Sequence, residues 1–165
     1  MAFTLKSGDP PAKSQLDSTQ GRRASLWLGL MALEPNIHRV LIVDDQESIR
    51  TALRSLLSGE RSFQLCGEAR DGQEALRMAL ELDPEVVLMD ISMPGMDGLE
   101  ATRRILKALP GTEILIVTHH ELVPAARAAR EAGARGCLAK AEAAHDLIPA
   151  LTAVCEHRPY FPGRI

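Results

Sequence analysis

Aromatic residues are scarce in this chain: 3% of 165 residues, with a single tryptophan and a single tyrosine. So few flat rings leave little on which unpaired bases could stack, which argues against a single-strand nucleic-acid binder. Charge offers no other route to nucleic acid. The formal net charge is −3, from 19 Lys+Arg against 22 Asp+Glu, and the two signs are scattered without a basic stripe. Cysteine is rare as well. Cys66, Cys137 and Cys155 stand far apart with no CxxC or Cys/His ligand spacing. That excludes a disulfide framework and a structural zinc site, and it fits a reducing compartment. No apolar run approaches the roughly 18 residues of a membrane span, and the N-terminus lacks the basic-then-apolar pattern of a signal peptide. The expectation is a cytoplasmic protein with neither nucleic acid nor membrane as partner.

What is present divides unevenly. Residues 1–36 are punctuated by Gly8, Pro10, Pro11, Ser14, Ser18 and Gly21 and carry no sustained period, so they read as a disordered extension. Met31 opens a stretch that reads as an alternative start. From Arg39 the character changes. Val40–Val43, Val86–Met89 and Ile114–Val117 are continuous apolar runs of the kind that fill strands buried on both faces, and Gln64–Cys66 and Gly136–Ala139 are weaker candidates. Between them lie helical stripes, the first being Ile49, Leu53, Leu56 and Leu57, closed by Ser58-Gly59. Asp71 with Glu74 makes a capping-box-like start for the second, which Asp83-Pro84 ends. A third runs through Leu99, Thr102, Ile105 and Leu106 to Pro110-Gly111, a fourth over about Val123–Ala132 stops at Gly133, and a fifth carries Leu147, Ile148, Leu151 and Val154. Five βα units predict an α/β doubly wound parallel sheet with right-handed crossovers. The boundaries expected are 37–157 for this domain and 158–165 for a C-terminal tail.

The residues that follow the strands carry the chemistry. The first run ends in Asp44-Asp45, the third in Asp90, the fourth in Thr118 and the fifth in Lys140. Open parallel sheets bind ligands outside the carboxyl ends of their strands, so these groups converge on one site. Three close carboxylates repel and call for a cation. An oxygen-only ligand set suits a hard ion that keeps some waters, and Mg²⁺ fits best. Thr118 adds a hydroxyl donor and Lys140 a compact positive charge. Cation, hydroxyl and ammonium around a carboxylate make a receptor for a phosphoryl group, with the carboxylate able to act as nucleophile.

The segments LIVDDQESIRTALRSLL, VVLMDISMPGMDGLEATRRI and EAGARGCLAK resemble the receiver domain of two-component response regulators over roughly Arg39 to Glu156. The stretches VTHH, AGARG and HRPYF are most like receivers of the LuxR/NarL-type subfamily, without the helix-turn-helix domain that often follows them. The resemblance implies a flavodoxin-like five-stranded sheet of order 2-1-3-4-5 with five helices. It also implies that Asp90 is the phosphoacceptor, served by a sensor histidine kinase or phosphotransfer protein. Mg²⁺ would be held by Asp45, Asp90 and the backbone carbonyl of Ser92, with Asp44 acting largely through water. Thr118 and Lys140 would bind the phosphoryl group. The chain would be a single-domain switch acting through protein–protein contacts rather than a turnover enzyme, with a homodimer left open.

Two positions depart from the family pattern. Cys137 stands three residues before the lysine, where receivers commonly have the rotating switch aromatic, and Ala141 stands where many have proline. His119, directly after Thr118, is placed to act as a gate on the site. Asp71, Asp83 and Asp97 read as caps or turn residues rather than ligands. A different class of function, a phosphorylation-independent scaffold of receiver fold, is motivated by Cys137 and His119. An aspartate-nucleophile phosphatase lacks its second acid, because Ser92 occupies that place. Only 25 residues follow Lys140, so the chain is either a natural single-domain regulator or one cut before an output domain.

Overall fold

The computed structural model describes residues 36–162, so the expectations for the N-terminal extension, the alternative start and the last three residues lie outside it. Five strands form one sheet: β1 (His38–Val43), β2 (Phe63–Ala69), β3 (Val86–Met89), β4 (Glu113–Thr118) and β5 (Gly136–Ala139). Every pairing is parallel and the order is β2-β1-β3-β4-β5, as the pattern predicts. The helices are α1 (Glu47–Ser58), α2 (Gly72–Leu82), α3 (Gly98–Ala108), α4 (Leu122–Ala132) and α5 (Ala143–Cys155), with a short 3-10 turn over Lys140–Glu142.

Continuous apolar runs are required because each strand residue faces a helix on one side or the other. Val40, Ile42, Val86, Leu88, Leu115 and Val117 pack with Leu53 and Leu57 of α1 and Leu147 and Leu151 of α5. Their alternates Leu41, Val43, Val87, Met89, Ile114 and Ile116 pack with Ala75 and Ala79 of α2, Ala101 and Ile105 of α3, and the alanines of α4. The helix starts follow the capping chemistry read from the sequence. Asp71 and Asp97 accept 2.8 Å bonds from the backbone N–H of Glu74 and Glu100. Asp83 ends α2 in the left-handed conformation, at φ 46°. Strands β1, β2 and β4 are longer than their apolar runs. Glu113, for example, belongs to β4 and is half-screened by Arg135, whose guanidinium donates to it at 3.0 and 3.1 Å.

Two features fix the ends of the sheet. The first is Gly98, where α3 begins directly beneath the end of β3. Its N–H donates 2.9 Å to the Ile91 carbonyl, and a Cβ built there would lie 1.8 Å from the backbone oxygen of Asp90. The second is the segment after α5. His157 turns the chain at φ 58°, and Tyr160 then forms a parallel bridge to Gly136 at the edge of β5. Tyr160 accepts from the Cys137 N–H at 2.8 Å and donates to the Arg135 carbonyl at 3.0 Å. Phe161 packs on the core beside α4 with the Arg130 guanidinium 4.4 Å above its ring. No peptide bond among the described residues is cis, Lys140–Ala141 included.

Gly98→Ala is expected to cost about 2–4 kcal/mol in urea denaturation, since backbone must move to admit the methyl group. Gly111→Ala, where a Cβ meets nothing within 4 Å, should stay within about 0.5 kcal/mol of the parent.

Candidate functional site

The carboxyl ends of β1, β3, β4 and β5 meet at one edge of the sheet. Asp90 ends the central strand and is 3% exposed; Asp44 is 1% exposed. Asp45, one residue further out, is exposed. Carboxylate oxygens of Asp44, Asp45 and Asp90 all lie within 4.8 Å of one another, close enough to share one cation. Lys140 reaches across from the end of β5. Its Nζ lies 2.5 Å from Asp44 Oδ2 and 3.2 Å from Asp90 Oδ2. An ammonium carries three donors and these two carboxylates engage at most two, so the buried group keeps a donor for another anionic oxygen.

The electrostatics are unbalanced in a useful way. Burial pushes the Asp90 carboxyl above the ordinary carboxylate range; the Lys140 charge opposes that shift and the nearby Asp44 charge adds to it. One ammonium among three carboxylates leaves a net negative cluster, and the donor set is all oxygen. This is a chemistry that fits Mg²⁺, with Asp45 as the arm most open to an ion that keeps its waters.

The remaining candidates are placed with varying closeness. Thr118 is fully buried at the end of β4, paired with Ala139 immediately before Lys140. Its hydroxyl oxygen accepts from the backbone N–H of His120 at 3.1 Å. Ser92 lies two residues after Asp90 on the loop that leads to α3 and is exposed. His119 is exposed on the loop after β4. The ring that crosses to the loop after Asp90 belongs to its neighbour: His120 Nε2 lies 2.5 Å from Ser92 Oγ. From sequence the adjacent His119 and His120 invite a metal reading, but no further His or Cys stands at ligand spacing. The actual contact of His120, to a serine 28 positions away, leaves no local signature. Cys137 is 1% exposed, and burial pushes its thiol up to about 11, which makes it a packing group rather than a nucleophile.

Comparison with known proteins agrees with this geometry. Residues 40–152 match the family model described as response regulator receiver domain. The chain is 36% identical over 127 residues to the response regulator GacA of Pseudomonas aeruginosa, covering 77% of this chain and 59% of that protein. It is equally identical over 127 residues to the transcriptional regulatory protein LiaR of Bacillus subtilis, covering 77% of this chain and 60% of that one. This chain therefore spans about three fifths of the length of these curated relatives. Among solved structures, a LuxR-family two-component response regulator from Aurantimonas sp. SI85-9A1 superposes with a TM-score of 0.72 at 34% identity, over 76% of this chain and 89% of that one. The signal receiver domain of the regulator NarL from Mycobacterium tuberculosis gives 0.70 at 30% identity, over 75% of this chain and all of that one.

The raised Asp90 pKa sets a sign for stability. A carboxyl harder to ionise when folded weakens the fold as pH rises past its unfolded value, and the penalty disappears in acid once Asp90 is protonated. Metal-free Asp90→Asn should therefore melt higher than the parent at pH 8, by about 4 °C for each kcal/mol of burial penalty removed with the charge. The difference should shrink towards pH 4, as followed by circular dichroism melts.

Proposed function

The chain belongs to the response regulator receiver domain family, and on that premise we propose that Asp90 is its phosphoacceptor. The reading is of a signalling module, not a turnover enzyme, whose kinase-side partner is a sensor histidine kinase or a phosphotransfer protein. The observation that carries it is the buried Asp90 carboxylate at the end of the central strand, within 4.8 Å of the Asp44 and Asp45 oxygens and 3.2 Å from the Lys140 ammonium.

In this reading an Asp90 oxygen attacks the phosphorus of a phosphohistidine, an acyl phosphate bond forms, the P–N bond breaks, and the imidazole leaves with its electron pair. Asp44, Asp45, Asp90 and the Ser92 backbone carbonyl are the groups that would hold Mg²⁺, which supplies charge neutralisation for phosphoryl oxygens. Lys140 already lies beside the acceptor carboxylate and turns its spare donor capacity to a phosphoryl oxygen. Thr118, whose oxygen accepts from the His120 N–H, has its hydroxyl proton free to donate to another. His119, exposed beside Thr118, borders the entrance.

Domain limits follow the same logic: 37–157 as the receiver, with 158–165 a tail whose Tyr160 and Phe161 lie back along β5. The output is a population shift on the face of α4, β5 and α5, read by a protein partner. Cys137 gives that face no rotating aromatic, so in this reading transmission differs from that of receivers that carry one. No described helix is long and apolar enough to cross a membrane.

Incubation with acetyl phosphate or phosphoramidate should add one phosphoryl group to the intact mass, only with Mg²⁺ and not in Asp90→Asn. An unchanged mass in the parent under these conditions would falsify the assignment. Partner binding that persists unaltered in Asp90→Asn would favour the scaffold function instead.

A further inference from the structure

Arg50 sits in the first turns of α1 and is 16% exposed at its side chain. Its Nη1 donates a 2.8 Å hydrogen bond to the backbone carbonyl of Asp44. Its Nε lies 3.4 Å from Glu68 Oε2 near the end of β2, and the other Glu68 oxygen takes Arg54 Nη1 at 2.6 Å. The Asp44 side chain is held independently, by the Gln46 N–H at 2.9 Å and by Lys140. Its N–H remains in the sheet, donating to Ala69 at 3.1 Å. What Arg50 restrains is the peptide that joins the two acids as the chain leaves β1. Asp45 is exposed, so the direction in which its carboxylate is presented is inherited from that peptide plane.

We propose that Arg50, braced by Glu68, is a positioning residue for divalent-cation binding: it fixes the Asp44–Asp45 peptide so that Asp45 meets the cation in register with Asp90. This rests on the reading of the three acids as a Mg²⁺ site. The geometry suits arginine specifically. A rigid fork spans a carbonyl and a carboxylate at once, whereas a lysine offers one point charge.

The sign of the effect separates positioning from simple electrostatics. A guanidinium beside the cluster repels a divalent cation, so removing it for its charge alone would tighten Mg²⁺ binding. Removing it as a brace weakens binding, because residues that orient metal ligands are commonly worth about tenfold or more in affinity. A role confined to stability would change neither.

The test is calorimetric titration of MgCl₂ into the metal-free full chain, at a temperature where melting curves show every variant folded. Arg50→Gln is expected to bind Mg²⁺ about tenfold more weakly. Arg50→Lys, which keeps the charge and loses the fork, should be weakened too, a loss that charge alone does not predict. If Arg50→Gln does not fold, Arg50→Lys decides the matter. Equal or tighter binding in the folded variants, beside a parent that binds Mg²⁺, overturns the role of Arg50 alone. A parent that takes up no Mg²⁺ overturns the site reading and this inference with it.

Discussion

The buried ammonium of Lys140, set between Asp44 and Asp90, is the contact on which the site depends. Carboxylates as deeply covered as these cost several kcal/mol each to strip of water unless a cation shares the space. The lysine supplies that cation from the far edge strand, and in doing so ties the end of β5 to the ends of β1 and β3. Yet it is one positive charge against three negative ones. Burial holds the Asp90 pKa up and Asp44 raises it further, so the cluster rests in a state that an added divalent cation would relieve. A site that is short of positive charge before its ligand arrives is suited to reversible phosphoryl chemistry, because ion and phosphoryl group bring opposite charges in together.

Much of this was legible before any coordinates. Three strands announced themselves as unbroken apolar runs because both faces of the sheet are covered, and a parallel sheet delivers the residues after its strands, Asp44, Asp90 and Lys140 among them, to one edge. Asp71 and Asp97 read as caps and are caps. What stayed hidden shares a physical cause. Arg50 acts on a backbone carbonyl, which has no residue identity to read. His120 meets Ser92 across a gap of 28 positions. Tyr160 pairs with Gly136 through main-chain atoms, so its docking along β5 has no side-chain pattern. Sequence periodicity reports burial well and reports backbone partnership poorly.

The departures at the switch position acquire a context from the tail. Cys137 is a small buried thiol whose N–H is bonded to Tyr160, so the aromatic groups beside β5 come from the segment after α5 rather than from the strand itself. Tyr160 packs with the α1/α5 layer and Phe161 with the α2–α4 layer, so consecutive rings straddle the sheet edge. Tyr160 is thus seated beside the strand that leads directly to Lys140.

The most direct measurement is a crystal structure grown with MgCl₂ and beryllium fluoride, a phosphoryl mimic that adds to an aspartate only in an assembled acceptor site. Tetrahedral density on Asp90 is predicted, with Lys140 Nζ and Thr118 Oγ1 in hydrogen-bond contact and a cation bound by Asp45, Asp90 and the Ser92 carbonyl. The mimic on another carboxylate, or an Asp90 left bare with Lys140 still closed on it, would contradict the assignment.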